Sequence, residues 1–168
     1  IPHLEPRDSI RITDRNAIVR ANASGEAEMV VRRWSWPGTH GRPVYNFRSD
    51  GRDLTSGRCL IVADGFYEFT DPPPDPAAQR RRAKSKWLFT SADEPYFMIA
   101  GLWRSHPDVG EAYAMLTCEP GPDMAPYHAR QVVVLGRADW GRWLDPGVPS
   151  SELTRPSPAG TLRVEQVR

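Results

Sequence analysis

The apolar positions of this chain fall in short runs separated by turn residues, a pattern that predicts β-strands rather than long helices. Ile10–Thr13, Ala17–Arg20 and Glu28–Trp34 read as strands, with Asn22-Ala23-Ser24-Gly25-Glu26 as the turn between the last two. Cys59–Ala63 is continuously apolar, as a buried strand requires. Phe66–Phe69, Trp87–Thr90, Tyr96–Gly101, Ala112–Thr117 and Gln131–Leu135 complete a β-rich core, and Asp64-Gly65 reads as a tight turn between strands. Helical periodicity is clearest over Ala138–Leu144, where Trp140, Trp143 and Leu144 recur at i, i+3 and i+4. Those tryptophans therefore read as core packing. Asp145-Pro146-Gly147 ends the helix, a further helical turn is expected near Ser151–Leu153, and a last strand near Thr161–Val167. The fold class expected is α+β, one β-rich domain over residues 1–168 with few short helices.

Composition narrows the class. At 168 residues and 39% hydrophobic, with six tryptophans, the chain can bury a substantial single core. No apolar run approaches a bilayer span and no signal-peptide pattern opens the sequence, so a cytoplasmic protein is expected. Cys59 and Cys118 form no disulfide or metal framework by spacing. Cys59, inside an apolar strand, is expected to be buried and unreactive, and Cys118 to be more open but without a neighbouring base.

The net charge of +1 gives no global field for a polyanion. The cations are nevertheless almost all arginine, Lys84 and Lys86 being the two lysines. Arginine's planar fork matches phosphate oxygens bidentately, although compositional bias would produce the same excess.

Candidate chemistry lies in three segments: Asn46-Phe47-Arg48-Ser49, the run Arg58–Phe69 ending Ala63-Asp64-Gly65-Phe66-Tyr67-Glu68-Phe69, and Pro126-Tyr127-His128-Ala129-Arg130. Each sets a polar, reactive side chain among aromatic or apolar residues, as in a partly buried pocket. Aromatic neighbours should raise the pKa of Glu68 and fit it to accept a proton; the alternative is an outward strand glutamate opposite an arginine. Imidazole titrates near neutrality, which suits His128 to proton transfer, and the amide of Asn46 can donate and accept at once. Arg48 and Arg130 lie two residues beyond Asn46 and His128, hence on the same face of an extended backbone. They could clamp phosphates, or pair with Asp50 or Glu68.

Together with Arg33-Trp34-Ser35-Trp36-Pro37, Pro95–Trp103 and Asp139–Leu144, these segments resemble the SOS-response-associated peptidase (SRAP) family over about Arg32 to Leu144. The resemblance implies a mixed, barrel-like sheet core and proteins that cross-link to abasic sites in single-stranded DNA. In that family, a cysteine exposed by self-removal of the initiator methionine supplies an amine and a thiol, which close a thiazolidine on the sugar aldehyde. Asn46, Glu68 and His128 match the family's reacting-end asparagine, amine-activating glutamate and proton-moving histidine. Arg48 and Arg130 would hold DNA phosphates. Trp36 with Pro37 would wedge against an unpaired base, core burial being the alternative. No cofactor and no metal is implied; a monomer associated with the nucleoid is expected.

Two departures matter. The chain begins Ile1-Pro2-His3, without the second-position cysteine, and the C-terminal segment after Pro158 does not resemble the family's. Residues missing before Ile1 are the expected explanation; a divergent member keeping only a DNA-binding pocket is the alternative. Two other functions stay open, a non-covalent single-stranded DNA-binding module and a thiol- or carboxylate-dependent peptidase acting on other proteins. Asp71–Lys86, with four prolines, three consecutive arginines and two lysines, is expected to be an exposed, mobile loop that either brushes a DNA backbone or merely connects two strands.

Overall fold

The computed structural model describes residues 2–168. In chain order the strands are β1 (Arg15–Ala21), β2 (Ala27–Trp34), β3 (Trp36–Pro37), β4 (Pro43–Val44), β5 (Asn46–Arg48), β6 (Arg58–Ala63) and β7 (Gly65–Thr70). There follow β8 (Ser85–Ser91), β9 (Phe97–His106), β10 (Gly110–Cys118), β11 (Gln131–Val132) and β12 (Val134–Leu135). The helix α1 (Arg137–Leu144), a single helical turn at Ser150–Glu152 and β13 (Leu162–Gln166) complete the chain. The β-rich α+β expectation holds.

Five strands close a barrel in the order β10-β2-β1-β6-β9 and back to β10. All neighbours are antiparallel except β2 with β10, which are parallel, so the barrel is mixed as expected. β5 adds to β10 in parallel, setting Asn46 opposite Met115 and Arg48 opposite Thr117. A second sheet of order β13-β8-β7 carries Glu68 opposite Trp87.

Side-chain alternation explains the apolar run in β6. Cys59 and Ile61 join one core with Ile18, Ile99, Tyr113, Phe66 and Phe89, shared by the barrel and the second sheet. Leu60 faces the opposite way, into a core closed by Leu116, Val133 and Trp143 of α1. Both faces of this strand are covered, so no polar residue is tolerated between Cys59 and Ala63.

Several expectations need correction. Ile10–Thr13 is not a strand: the chain turns there and Thr13 takes a φ of 84°. Gln131–Leu135 is two strands, because the Val133 amide donates to Leu116 while its carbonyl accepts from Ala100, moving the chain from β10 to β9. Asp64 does bend the chain between β6 and β7 as expected, but the two strands lie in different sheets, and the missing Cβ of Gly65 admits Leu88 and the Phe89 carbonyl. Cys118 is nearly as buried as Cys59.

Ser35, between β2 and β3, combines a φ of 83° with a buried hydroxyl that has no hydrogen-bond partner among the described residues. Both features are costly, the first because a Cβ crowds the left-handed region. Ser35→Gly is therefore expected to stabilise the protein by about 1 kcal/mol after glycine's own entropic cost. A lower urea midpoint in the glycine variant would contradict this account.

Candidate active site

Glu68 and His128 come from distant parts of the chain and meet across the second sheet. The segment between β10 and β11 turns back over β8, and Tyr127 pins it there. The Tyr127 ring packs edge-on against Trp87 at 4.8 Å and against Phe89 at 5.3 Å between centroids. Trp87 is the cross-strand partner of Glu68, so anchoring Tyr127 delivers the next residue, His128, to the carboxylate. The imidazole Nε2 stands 4.0 Å from Glu68 Oε2, with the carboxylate side chain 23% and the imidazole 43% exposed. The pair is open enough for a substrate and dry enough for charge to matter.

Electrostatics follow from that placement. Burial holds the Glu68 carboxyl above the ordinary carboxylate range; the His128 imidazole and the Phe69 amide partly offset it. On the other side of the ring, Nδ1 lies 3.0 Å from both the amide nitrogen and the carbonyl oxygen of Arg130. Neutral imidazole can accept from that amide through Nδ1 and keep its proton on Nε2, facing Glu68. The protonated ring can instead donate to the carbonyl. One backbone position thus serves both protonation states. The alternative of a strand glutamate facing arginine is not what the structure holds, since Trp87 sits opposite.

Arg130 ties this pair to β5. Its Nη2 donates to Asp50 Oδ2 at 2.5 Å, to the Thr117 carbonyl at 2.9 Å and to Thr117 Oγ1 at 3.1 Å. Thr117 is also bonded by the Ser49 hydroxyl at 2.8 Å, just beyond β5. The guanidinium holds Asp50 below the usual carboxylate range. Arg130 therefore bridges the His128 turn to the end of the Asn46–Arg48 strand, and its Nε is buried without a partner among the described residues. Residues 128–130 lie outside any strand, so the two-residue spacing does not act there through strand alternation.

In β5 the alternation does hold: Asn46 and Arg48 are exposed on either side of half-buried Phe47. Among the described residues Asn46 makes no hydrogen bond to Glu68 or His128. Trp36 is only 5% exposed and packs with Ala112, Ala114 and Val44, so core burial is the outcome and its ring cannot reach a base without unpacking; Pro37 beside it is half-buried. Burial pushes the Cys118 thiol up to about 11 and raises Cys59 still further, which leaves neither as a ready nucleophile. A depression of about 570 Å³ lies beside Asp50 and is lined in part by Arg52, Glu119 and Arg155. Neither Glu68 nor His128 lines it. No group of three or more potential metal-ligating side chains occurs among the described residues. No helix of theirs is long and apolar enough to cross a membrane.

The pairing of Arg130 with Asp50 is one of the alternatives expected from the sequence, whereas Thr117 and Tyr127 were missed. Tyr127 had a signal, being a large aromatic immediately before the candidate histidine. Thr117 acts through a bond pattern with no sequence mark.

The model of the SOS response associated peptidase (SRAP) family matches residues 2–168, and the chain belongs to that family. It is 33% identical over 104 residues to the abasic site processing protein YoaM of Bacillus subtilis, a match covering 56% of this chain and 40% of the relative. A solved structure from Bordetella bronchiseptica aligns with a TM-score of 0.74 at 26% identity, covering 99% of this chain and 90% of its own. A phage-related protein of the same organism aligns at 0.76 and 19% identity over 99% and 84% of the two chains. A protein of Bacteroides thetaiotaomicron aligns at 0.71 and 18% over 93% and 75%. At 18% and 19% identity these last two likenesses speak to the fold.

Proposed function

We propose that this protein acts on abasic sites in single-stranded DNA, with Glu68 and His128 at the reaction centre. Asn46 orients the opened sugar or the attacking amine, and exposed Arg48 holds a flanking phosphate. Arg130, already engaged by Asp50 and Thr117, positions His128 rather than gripping DNA through Nη2. The observation that carries this reading is the half-buried Glu68–His128 pair, 4.0 Å apart, in a chain of the SRAP family. The name of the Bacillus relative supports the substrate, although the match spans under half of that protein.

In the covalent form of the reaction, a neutral terminal amine attacks the aldehyde carbon of the ring-opened sugar. The Glu68 carboxylate accepts a proton from nitrogen as the carbon–nitrogen bond forms and returns it to the alkoxide, giving a carbinolamine. His128 then protonates the hydroxyl, which leaves as water, and takes back a proton from the iminium nitrogen, giving an imine. A cysteine thiol then adds across the carbon–nitrogen double bond, its proton passing to nitrogen, and a thiazolidine closes with no oxidant or reductant required. A cysteine terminus ahead of the residues described here is needed for this last step. Removal of a leading methionine is the peptidase activity this reading includes.

A denaturing gel tests the proposal. The chain beginning at Ile1 and a version extended to begin Met-Cys are each mixed with an abasic oligonucleotide and with its intact counterpart. A heat-stable protein–DNA band is expected from the extended version on the abasic strand, and from neither protein on intact DNA. Absence of that band, together with cleavage of a peptide panel that Glu68→Ala abolishes, would instead identify a peptidase of other proteins.

A further inference from the structure

The turn that presents His128 is held from a second side, by a carboxylate that the reaction does not use. Residues 122–127 form successive turns between β10 and β11, and Met124 is their hub. Its side chain is fully buried in the core that also holds Phe66 and Phe89. Its carbonyl accepts from the amides of Tyr127 at 2.8 Å and His128 at 3.1 Å. Wherever Met124 goes, the His128 backbone follows.

Asp123, the preceding residue, fastens that hub to the C-terminal segment. Its Oδ1 accepts from the Gly160 amide and its Oδ2 from the Leu162 amide, both at 3.0 Å. A turn aspartate ordinarily bonds an amide about two residues on, whereas these lie 37 and 39 residues away. Asp123 forms no ion pair among the described residues, so its charge is spent on those two amides. Leu162 opens β13, whose Gln166 lies opposite Trp87 of β8, and Trp87 lies opposite Glu68 of β7. The carboxylate thus closes a circuit, from Glu68 across the sheet to β13, then through Asp123 and Met124 to His128. At the base of the turn, buried Gln131 accepts from the Gly121 amide at 2.9 Å and donates to the Ser157 hydroxyl at 3.0 Å. The apolar contacts of Tyr127 hold the turn down but resist sliding weakly, whereas hydrogen bonds weaken steeply with angle.

We propose that Asp123 is a positioning residue for His128: its bonds to the Gly160 and Leu162 amides fix the turn in the register that brings Nε2 within 4.0 Å of Glu68. The inference rests on the proposed reaction at Glu68 and His128, and one readout of its test needs no reaction.

The test is Asp123→Asn in the protein extended to begin Met-Cys. Asparagine keeps one accepting oxygen and loses the other together with the charge, so the turn still closes but loosens. Single-turnover adduct formation at saturating abasic oligonucleotide is expected to slow about 10- to 100-fold, while DNA affinity stays within about twofold. Carbon-13 NMR of the Glu68 carboxyl gives the readout that needs no DNA. The His128 imidazole partly offsets the effect of burial on that carboxyl, so a turn that drifts away raises its titration midpoint. Arg58→Met, which weakens the fold from the opposite face of β6, should leave the midpoint and the rate of its folded fraction unchanged. In the protein without substitutions, the His128 and Leu162 amides should exchange with deuterium as one protected unit. Either an unchanged rate or an unchanged Glu68 midpoint in Asp123→Asn overturns the proposal, as does an equal loss of rate in Arg58→Met. Rapid exchange at Leu162 while His128 stays protected overturns it without any variant. If the protein without substitutions forms no adduct, the proposed reaction fails; a raised Glu68 midpoint in Asp123→Asn then still upholds the positioning, and an unchanged one ends it.

Discussion

Glu68→Gln, in a protein extended to carry the cysteine terminus, is expected to slow adduct formation on an abasic strand by about 10²- to 10⁴-fold while DNA affinity changes little. Glutamine keeps the size of the side chain and its packing beside the Tyr127 anchor, but it cannot take a proton. The pH dependence provides a sharper criterion. Burial raises the Glu68 carboxyl above its ordinary value, so the base form accumulates only as pH climbs past that raised value. The acid limb of the rate profile should follow this titration and vanish in the glutamine variant. Stability should move in the opposite sense. A carboxyl whose pKa is higher in the folded state binds more protons folded than unfolded, so its ionisation costs stability as pH rises from the ordinary value through the raised one. Glu68→Gln should therefore be neutral or mildly stabilising at pH 7, with the gain disappearing in acid. A variant that loses adduct formation only because its melting temperature collapses would refute a chemical role for this residue.

The barrel was legible because its strands are buried on one or both faces, and that burial imposes alternation or continuous apolar runs such as Cys59–Ala63. Errors arose where backbone geometry outweighed side-chain pattern. Ile10–Thr13 has β-branched residues at strand-like spacing, yet the turn ending at Thr13 breaks it. β5 is the reverse case, three residues with two exposed polar side chains that become a strand by bonding β10. The candidate site was legible to a similar depth. Glu68 and His128 stood out because reactive side chains sat among aromatics, and the structure brings them together. Arg130 was legible as a cation with Asp50 as one possible partner, but its further bonds to Thr117, 13 residues away, carry no sequence signal. The Trp36 side chain shows the limit of composition: a tryptophan beside a proline suits a wedge or a core equally, and here the core claims it.

Replacing Arg58 by methionine should produce the largest loss of stability of any single change considered, about 3–5 kcal/mol. Arg58 opens β6 yet is only 5% exposed. Among the described residues its guanidinium has no carboxylate partner; instead it donates to the carbonyls of Leu54, Asp145 and Val148 at 2.7 Å and of Trp143 at 3.3 Å. It also stacks over the Trp143 ring at 4.6 Å. Desolvation pulls its pKa down, with Asp53 and Asp145 acting the other way, but an arginine stays protonated and its cost of burial is offset by carbonyl dipoles. The cation thereby gathers the chain before β6, the end of α1 and the turn after it. Methionine fills similar volume and satisfies none of the four acceptors, while lysine keeps the charge but directs all its donors from one nitrogen and should recover less than half the loss. For a chain of this size, a loss of 3–5 kcal/mol corresponds to a drop in melting temperature of roughly 10 °C. Urea denaturation with unchanged slope and a midpoint loss below about 1 kcal/mol in the methionine variant would show that water replaces the guanidinium without difficulty. Because α1 packs over the face of β6 opposite the candidate site, the folded fraction of that variant should retain its affinity for abasic DNA, separating the support of the barrel from the chemistry of Glu68.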